Sequence, residues 1–242
     1  MEDKDLLFLK ECRNEDLQTL ADYLVFDPKD QKKRLFETLS STRDYQLYYP
    51  KEMQKLIPGI TKELSYFGSN DFAYFTRKLF GKKGGVPYRE ILEDVCKKLK
   101  VNYNEHSSVE LVEQYLLQKV LADTISKMTP EEVKILGEDF GLKGQQDIAH
   151  IYAVGSPIYY RAIILLVQAL VKRMGIAAAG IFVGGRLLAL LAGPVGLAIT
   201  GLWALADIAG PAYRVTIPCV ILIAYMRATY KISDEKMMEY AQ

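Results

Sequence analysis

The sequence predicts an all-α protein with a charged, multi-helical first part and an apolar, glycine-rich C-terminal helical hairpin or bundle. Apolar residues recur every three or four positions, and no segment shows the strict alternation typical of a strand. Charge then divides the chain: residues 1–156 carry 23 basic and 26 acidic side chains, whereas residues 157–230 carry six basic and one acidic. We therefore predict domains at 1–156 and 157–231, followed by a short polar tail at 232–242.

The first predicted helices are short and amphipathic. Asn14 is expected to cap a helix that stops at Asp27-Pro28, and residues 31–40 are expected to form another short helix. Residues 51–67 have helical spacing, but Pro58-Gly59 should kink or split that helix, and Gly68 should end it.

The remaining helices of the first part are predicted from their start signals. Asn70 begins one helix, and Pro87 begins another after the glycine-rich loop 81–85. Residues 108–127 form the strongest periodic segment. Thr129-Pro130-Glu131-Glu132 follows as a capping box with proline at the first helical position.

The C-terminal part is predicted from three uncharged runs, 162–171, 187–206 and 215–226. A helix that is apolar nearly all round must be buried in protein or in lipid. Small residues four apart, such as Gly180 and Gly184, let helix backbones approach closely. The run 187–206 is long enough to span a bilayer, but Gly193-Pro194 interrupts it. A spanning helix, a buried hairpin and peripheral or inducible membrane contact all remain open.

Composition excludes several functional classes. A formal net charge of +1 over 242 residues is not typical of a nucleic-acid binder. Cys12, Cys96 and Cys219 are too far apart for a CxxC zinc site, and their odd number argues against a disulfide framework. The acidic start of the chain does not resemble a secretory signal. We expect a cytoplasmic protein, peripheral at the inner face of the membrane.

The sequence does not predict a catalytic site, a metal site or a cofactor. Asp147 and His150 could share a helix face, but a carboxylate-bridged metal centre needs a second such pair, which the sequence lacks. An enzyme that uses Cys96 or Glu63 is the least favoured hypothesis, because activation of a thiol needs a neighbouring base or a lowered pKa. We therefore predict that the protein is not an enzyme and identify no small-molecule substrate.

Four polar residues of the apolar part are the candidate binding residues. Arg186 and Asp207 bracket the longest uncharged run, and in lipid they would need a partner or a function. In a protein core, Asp207 and a neighbouring arginine could neutralise each other. Tyr213 and Arg214 suit an anionic headgroup or a partner carboxylate, although a turn-stabilising role before Pro218 is an equal alternative.

Several segments along nearly the whole chain resemble the YaaW-like family of bacterial proteins. The matching segments are Asp5-Leu6-Leu7-Phe8-Leu9, Asn14-Glu15-Asp16-Leu17, Glu63-Leu64 with Phe67-Gly68, Tyr88-Arg89-Glu90-Ile91-Leu92, Asp94-Val95, Lys98-Leu99-Lys100, Gly193-Pro194-Val195-Gly196 and Ala212-Tyr213-Arg214-Val215-Thr216-Ile217-Pro218. The resemblance implies a shared architecture and supplies no catalytic residues. It also implies a remote similarity of the central part to ubiquinol-cytochrome c chaperones, which are non-enzymatic assembly factors at membranes.

The expected function follows from the charge division and the glycine ridges. We expect a non-enzymatic helical protein whose apolar C-terminal half docks on a membrane or a hydrophobic protein partner, in a chaperone-like or assembly role. The alternative is a bilayer-perturbing toxin-like or immunity protein with an insertable helical hairpin. Nucleic acid is not an expected partner, and an oligomer is compatible with either hypothesis.

Overall fold

The computed structural model describes residues 2–28, 30–80, 85–140, 151–173, 212–232 and 236. Within these ranges the chain is helical and contains no strand, so the all-α prediction is confirmed. The described α-helices, numbered here in chain order, are α1 (Asn14–Val25), α2 (Arg43–Tyr48), α3 (Ile57–Phe80), α4 (Tyr88–Lys98), α5 (Val109–Ile125), α6 (Pro130–Asp139), α7 (Pro157–Arg173) and α8 (Tyr213–Thr229). Shorter 3-10 helices cover Lys4–Glu11, Leu39–Ser41 and Met53–Leu56.

Helix α8 lies at the centre of the bundle. Thirteen of its 17 residues are buried, and it packs against α1, α3, α4, α5 and α7. A helix with apolar residues all round its surface has no side that favours water, so it is stable where other helices surround it. The uncharged run 215–226 is therefore covered by helices that come mostly from the charged first part of the chain. The division into domains at 156/157 stays a prediction.

Two helix starts show the predicted local chemistry. Thr129 and Glu132 form the complete capping box of α6, with Pro130 at the start of the helix. Ser108 caps α5, because its hydroxyl accepts a hydrogen bond from the Leu111 amide at 3.3 Å. Both helices therefore begin where the sequence predicts.

Helix α3 differs from its prediction. Pro58 lies in its first turn, where proline is tolerated, and the helix continues through Gly68 to Phe80 as 24 residues. Gly68 allows close packing, since a Cβ atom there would lie 2.6 Å from Cγ1 of Ile91 on α4. The prediction that Gly68 ends the helix is wrong, and a close contact between α3 and α4 is the reason.

Two other local predictions are also wrong. Arg13, rather than Asn14, occupies the N-cap position of α1; the side chain of Asn14 accepts a bond from the Met53 amide at 2.9 Å. Residues 31–38 form turns and one isolated bridge between Phe26 and Lys33, and the 3-10 helix Leu39–Ser41 follows them. Tertiary hydrogen bonds take precedence over local helix propensity in both places.

The predicted glycine-rich hairpin lies outside the described residues, as do the small-residue ridges from Gly180 to Gly193. Among the described helices, none combines the length and the hydropathy required to cross a bilayer.

Candidate functional site

A buried ion pair joins four elements of the bundle. Glu113 of α5 is only 2% exposed, and its Oε2 accepts a hydrogen bond from Nε of Arg227 in the last turn of α8. Its Oε1 accepts a bond from the hydroxyl of Tyr88, the first residue of α4, at 2.7 Å. Arg227 also donates from Nη2 to the backbone carbonyl of Asp5 in the 3-10 helix Lys4–Glu11. We call Glu113, Arg227 and Tyr88 the core triad.

The aromatic and acidic neighbours of Arg227 complete its surroundings. The guanidinium carbon lies 3.9 Å from the ring centroid of Phe8, which is a cation–π contact. Nη1 of Arg227 lies 3.7 Å from Oε1 of Glu110, one turn before Glu113 on α5. The arginine thus contacts two carboxylates, an aromatic face and a carbonyl. The arrangement fixes the last turn of α8 against the N-terminal 3-10 helix and α5.

Burial sets the protonation behaviour of the core triad. Desolvation raises the pKa of Glu113, and the charge of Arg227 and the hydrogen bond from Tyr88 oppose that rise. Burial, together with the nearby Glu113 carboxylate, raises the pKa of Tyr88 well above its ordinary value. Since each carboxylate oxygen already has a donor, the geometry fits a structural cross-link better than an acid–base pair that faces a substrate.

Two further buried carboxylates have neutral partners. Asp22 of α1 accepts a hydrogen bond from the hydroxyl of Tyr49 at 2.7 Å, and burial raises the pKa of Asp22 to about 6. Glu63 of α3 accepts bonds from the amide and the hydroxyl of Thr38, at 3.0 and 2.7 Å. Each carboxylate links two segments of the chain through neutral hydrogen-bond donors, whereas the core triad also contains a cation.

The three thiols are poor candidates for nucleophiles. Cys12, Cys96 and Cys219 are all free and buried. Burial raises the pKa of each thiol to about 12, with the nearby Asp16 adding to the effect at Cys12 and Glu113 adding to it at Cys96. A thiol with such a pKa stays protonated at neutral pH and lacks the reactive thiolate.

A small apolar pocket lies between α5, α6 and α7. Among the described residues that line it, Thr124 is the one polar side chain, and its hydroxyl donates to the Val120 carbonyl at 2.7 Å. A substrate site needs polar groups that orient the ligand, and Thr124 already bonds its own helix. In the described ranges, no three His, Cys, Asp or Glu side chains come close enough to hold a metal ion. The expectations of no metal and no cofactor stay predictions.

Two of the four predicted binding residues lie within the described part of the chain. Tyr213 and Arg214 begin α8 and are both half-buried. Nζ of Lys98 lies 5.2 Å from the ring centroid of Tyr213, and the backbone carbonyl of Arg214 accepts a bond from the Tyr23 hydroxyl at 3.2 Å. These contacts join the start of α8 to α4 and α1. Arg186 and Asp207 lie outside the described residues, and a binding role for all four residues stays a prediction.

Sequence reasoning missed the core triad, although two signals point to part of it. Glu113 falls within the apolar stripe of α5, between Val112 and Leu116, where a charge needs a partner. Arg227 directly follows the uncharged run 215–226, so it lies at the end of a buried helix. Neither signal identifies the partner, because 114 positions separate the two residues along the chain.

Comparisons with known proteins find relatives along nearly the whole chain. A family model described as a domain of unknown function, DUF3944, matches residues 1–35. The chain is 39% identical over 245 residues to a UPF0174 protein of Helicobacter pylori strain J99, covering 96% of this chain and 94% of the relative. It is 32% identical over 233 residues to the UPF0174 protein YaaW of Escherichia coli K12, covering 94% of each. No solved structure matches the chain.

Proposed function

The chain belongs to the UPF0174 family of YaaW-like bacterial proteins. We propose that this member is a non-catalytic helical protein whose apolar C-terminal part docks, through residues 174–211, on a membrane or a hydrophobic protein partner. The helical bundle, which includes α7 and α8, holds the two ends of this docking segment. An assembly or chaperone-like task fits such a protein, because hydrophobic docking needs no reacting group.

One observation carries the proposal: the composition of the segment between α7 and α8. Residues 174–211 contain only two charged side chains, Arg186 and Asp207, and eight of the chain's 17 glycines. A continuous apolar sequence of this length needs a cover of protein or lipid, because contact with water raises its free energy. The bundle holds both ends of the segment, since α7 precedes it, α8 follows it, and the two helices contact each other.

Charge favours a membrane over a protein partner as the docking surface. Residues 157–230 carry six basic side chains and one acidic side chain. Arg227 is neutralised inside the bundle by Glu113, so it does not add to the charge of a docking surface. A net positive charge draws a protein towards the anionic lipids of a cytoplasmic leaflet. In this proposal Tyr213 and Arg214 lie where the apolar segment rejoins the bundle, next to the docking surface.

Fractionation of the expressed protein, followed by salt and carbonate washes, tests the proposal. Wild type is expected in the membrane fraction. Release by high salt would indicate electrostatic attachment, and resistance to both washes would indicate integration. The double variant L188D/L191D adds two charges to the apolar segment and should shift the protein to the supernatant. The matched control I135D changes an exposed apolar residue of α6 and should fractionate like wild type.

Two outcomes would contradict the proposal. One is wild type entirely in the soluble fraction and without affinity for a hydrophobic partner. The other is equal membrane binding by wild type and L188D/L191D. Dye release from vesicles of phosphatidylcholine and phosphatidylglycerol separates docking from the toxin-like alternative. Docking predicts binding without leakage, whereas an inserting hairpin predicts leakage.

A further inference from the structure

An exposed apolar turn lies in the N-terminal part of the chain, between α1 and the 3-10 helix Leu39–Ser41. Leu35 is 93% exposed and Phe36 is 70% exposed, and the two side chains are consecutive. Isolated exposed apolar residues are ordinary on protein surfaces, but two large neighbours with this exposure are not. We propose that this turn, residues 32–37, is a membrane-contact element that inserts Leu35 and Phe36 into the interface of an anionic bilayer.

The residue before the apolar pair fixes one side of the turn. The amide of Arg34 donates to the Val25 carbonyl at 2.8 Å, and Nε donates to the Tyr23 carbonyl at 3.2 Å. Nη1 of Arg34 lies 3.3 Å from Oδ2 of Asp27. These bonds turn the arginine side chain inward, onto the end of α1. The next two side chains, those of Leu35 and Phe36, point outward into solvent.

The residues after the apolar pair fix the other side. Glu37 accepts hydrogen bonds from the amide and the hydroxyl of Ser40, the former at 2.9 Å. Thr38 donates its amide and its hydroxyl to the buried Glu63 of α3. With both flanks bonded to the bundle, the turn displays Leu35 and Phe36 at a defined place. A preorganised apolar tip loses little conformational entropy when it enters a bilayer interface.

The positive charge of the exposed lysines beside the turn matches an anionic lipid surface. Lys32 and Lys33 are both exposed and directly precede the turned-in Arg34. Arg34 is paired inward with Asp27, so the positive charge that faces solvent comes from the lysines. Nζ of Lys32 lies 3.4 Å from Oδ2 of Asp30, but both side chains are exposed, so solvent screens this pair. Apolar and aromatic side chains beside lysines are the combination that binds anionic interfaces, since the apolar groups enter the headgroup boundary while the ammonium groups meet lipid phosphate.

The turn and the segment 174–211 are both proposed to contact a membrane, but they are different residues, so the two proposals can fail separately. The direct probe is vesicle sedimentation with the full chain, using phosphatidylcholine alone and phosphatidylcholine mixed with phosphatidylglycerol. L35S/F36S should lower the partition coefficient for mixed vesicles about tenfold, because two large apolar groups no longer enter the interface. K32E/K33E should weaken binding to mixed vesicles and leave binding to neutral vesicles nearly unchanged.

Two controls keep the interpretation clear. I135S removes an exposed apolar side chain from α6 and should bind vesicles like wild type. Circular dichroism melts should match wild type for the turn variants, since the changed side chains are exposed. In a W203F background, F36W places a single tryptophan in the turn, and its emission should shift to shorter wavelength on vesicle binding.

The outcomes separate the two proposals. If L35S/F36S binds like wild type while L188D/L191D does not, the turn inference is wrong and the proposed function stands. If L35S/F36S loses binding while L188D/L191D keeps it, the turn inference holds and the proposed docking segment is wrong. If wild type binds neither kind of vesicle, or if F36W emission is unchanged when the protein binds, a lipid role for the turn is overturned.

Discussion

Two buried carboxylates in the same bundle have different partners. Glu113 bonds a cation, Arg227, and a hydroxyl, Tyr88. Asp22 bonds the hydroxyl of Tyr49, with Gln18 as a second neutral partner, and no cation bonds it among the described residues. Burial raises the pKa of both carboxyls, but only Glu113 has a positive charge that opposes the rise. Glu113 is thus held by charge pairing, whereas Asp22 is held by hydrogen bonds alone.

The difference has a structural consequence. The core triad joins the N-terminal 3-10 helix, α4, α5 and α8, so it connects the central helix to the first part of the chain. Asp22 joins α1 to the end of α2 through Tyr49, whose ring stacks on Tyr45 at a centroid distance of 4.5 Å. Loss of the cation should therefore destabilise the bundle, whereas loss of the charge on Asp22 should stabilise it.

The largest expected effect is the loss of the cation from the core triad. R227M leaves the Glu113 carboxylate buried without its charged partner, which should lower the free energy of unfolding by about 3–5 kcal/mol. Urea denaturation measures the change. The double variant E113Q/R227M removes both charges and keeps an acceptor for Tyr88, so it should recover a large part of the loss. A cost below about 1 kcal/mol for R227M would show that the pair does not hold α8 in place.

The next effect is pH-dependent and has the opposite sign. Because the pKa of folded Asp22 is raised from 3.8 to about 6, the folded state binds its proton more tightly than the unfolded state does. The contribution of Asp22 to the free energy of unfolding therefore falls as the pH rises from about 4 to 6 and stays low above that window. D22N removes the charge and keeps an acceptor for Tyr49, so it should stabilise the protein by about 1–3 kcal/mol near pH 7.5.

The comparison at low pH is the control for D22N. Near pH 4 wild-type Asp22 is protonated in the folded state, so the advantage of D22N should largely disappear. Urea melts of wild type and D22N at both pH values measure this difference. An equal stabilisation at the two pH values would mean that packing, and not the buried charge, accounts for the effect.

The smallest expected effect concerns an exposed ion pair. Nζ of Lys134 lies 3.9 Å from Oε1 of Glu138 on α6, and both side chains are exposed. Solvent screens such pairs, so K134A should change the free energy of unfolding by no more than about 0.5 kcal/mol. Urea denaturation of K134A gives the free-energy change for an exposed pair, with which the change for R227M is compared. If K134A lowered the free energy of unfolding about as much as R227M, burial would not explain the importance of the Glu113–Arg227 pair.

Much of the helical framework could be predicted from local sequence, but the candidate site could not. The starts of α5 and α6 follow from Ser108 and from the Thr129–Glu132 capping box, since a cap bonds the next turn of its own helix. The core triad combines residues from distant helices, and no local pattern pairs Glu113 with Arg227. Gly68 shows the same limit, because its role depends on Ile91 across a helix interface.

The sequence by itself determined the helical class, the family and the sharp loss of charge after residue 156, because composition, periodicity and capping are properties of neighbouring residues. Only the tertiary structure decided that other helices surround α8 and that Arg227 neutralises Glu113. It also decided that the side chain of Arg34 points inward, whereas those of Leu35 and Phe36 point into solvent. Those arrangements depend on which surfaces meet, and the free energy of burial is fixed by contacts between residues far apart in the chain.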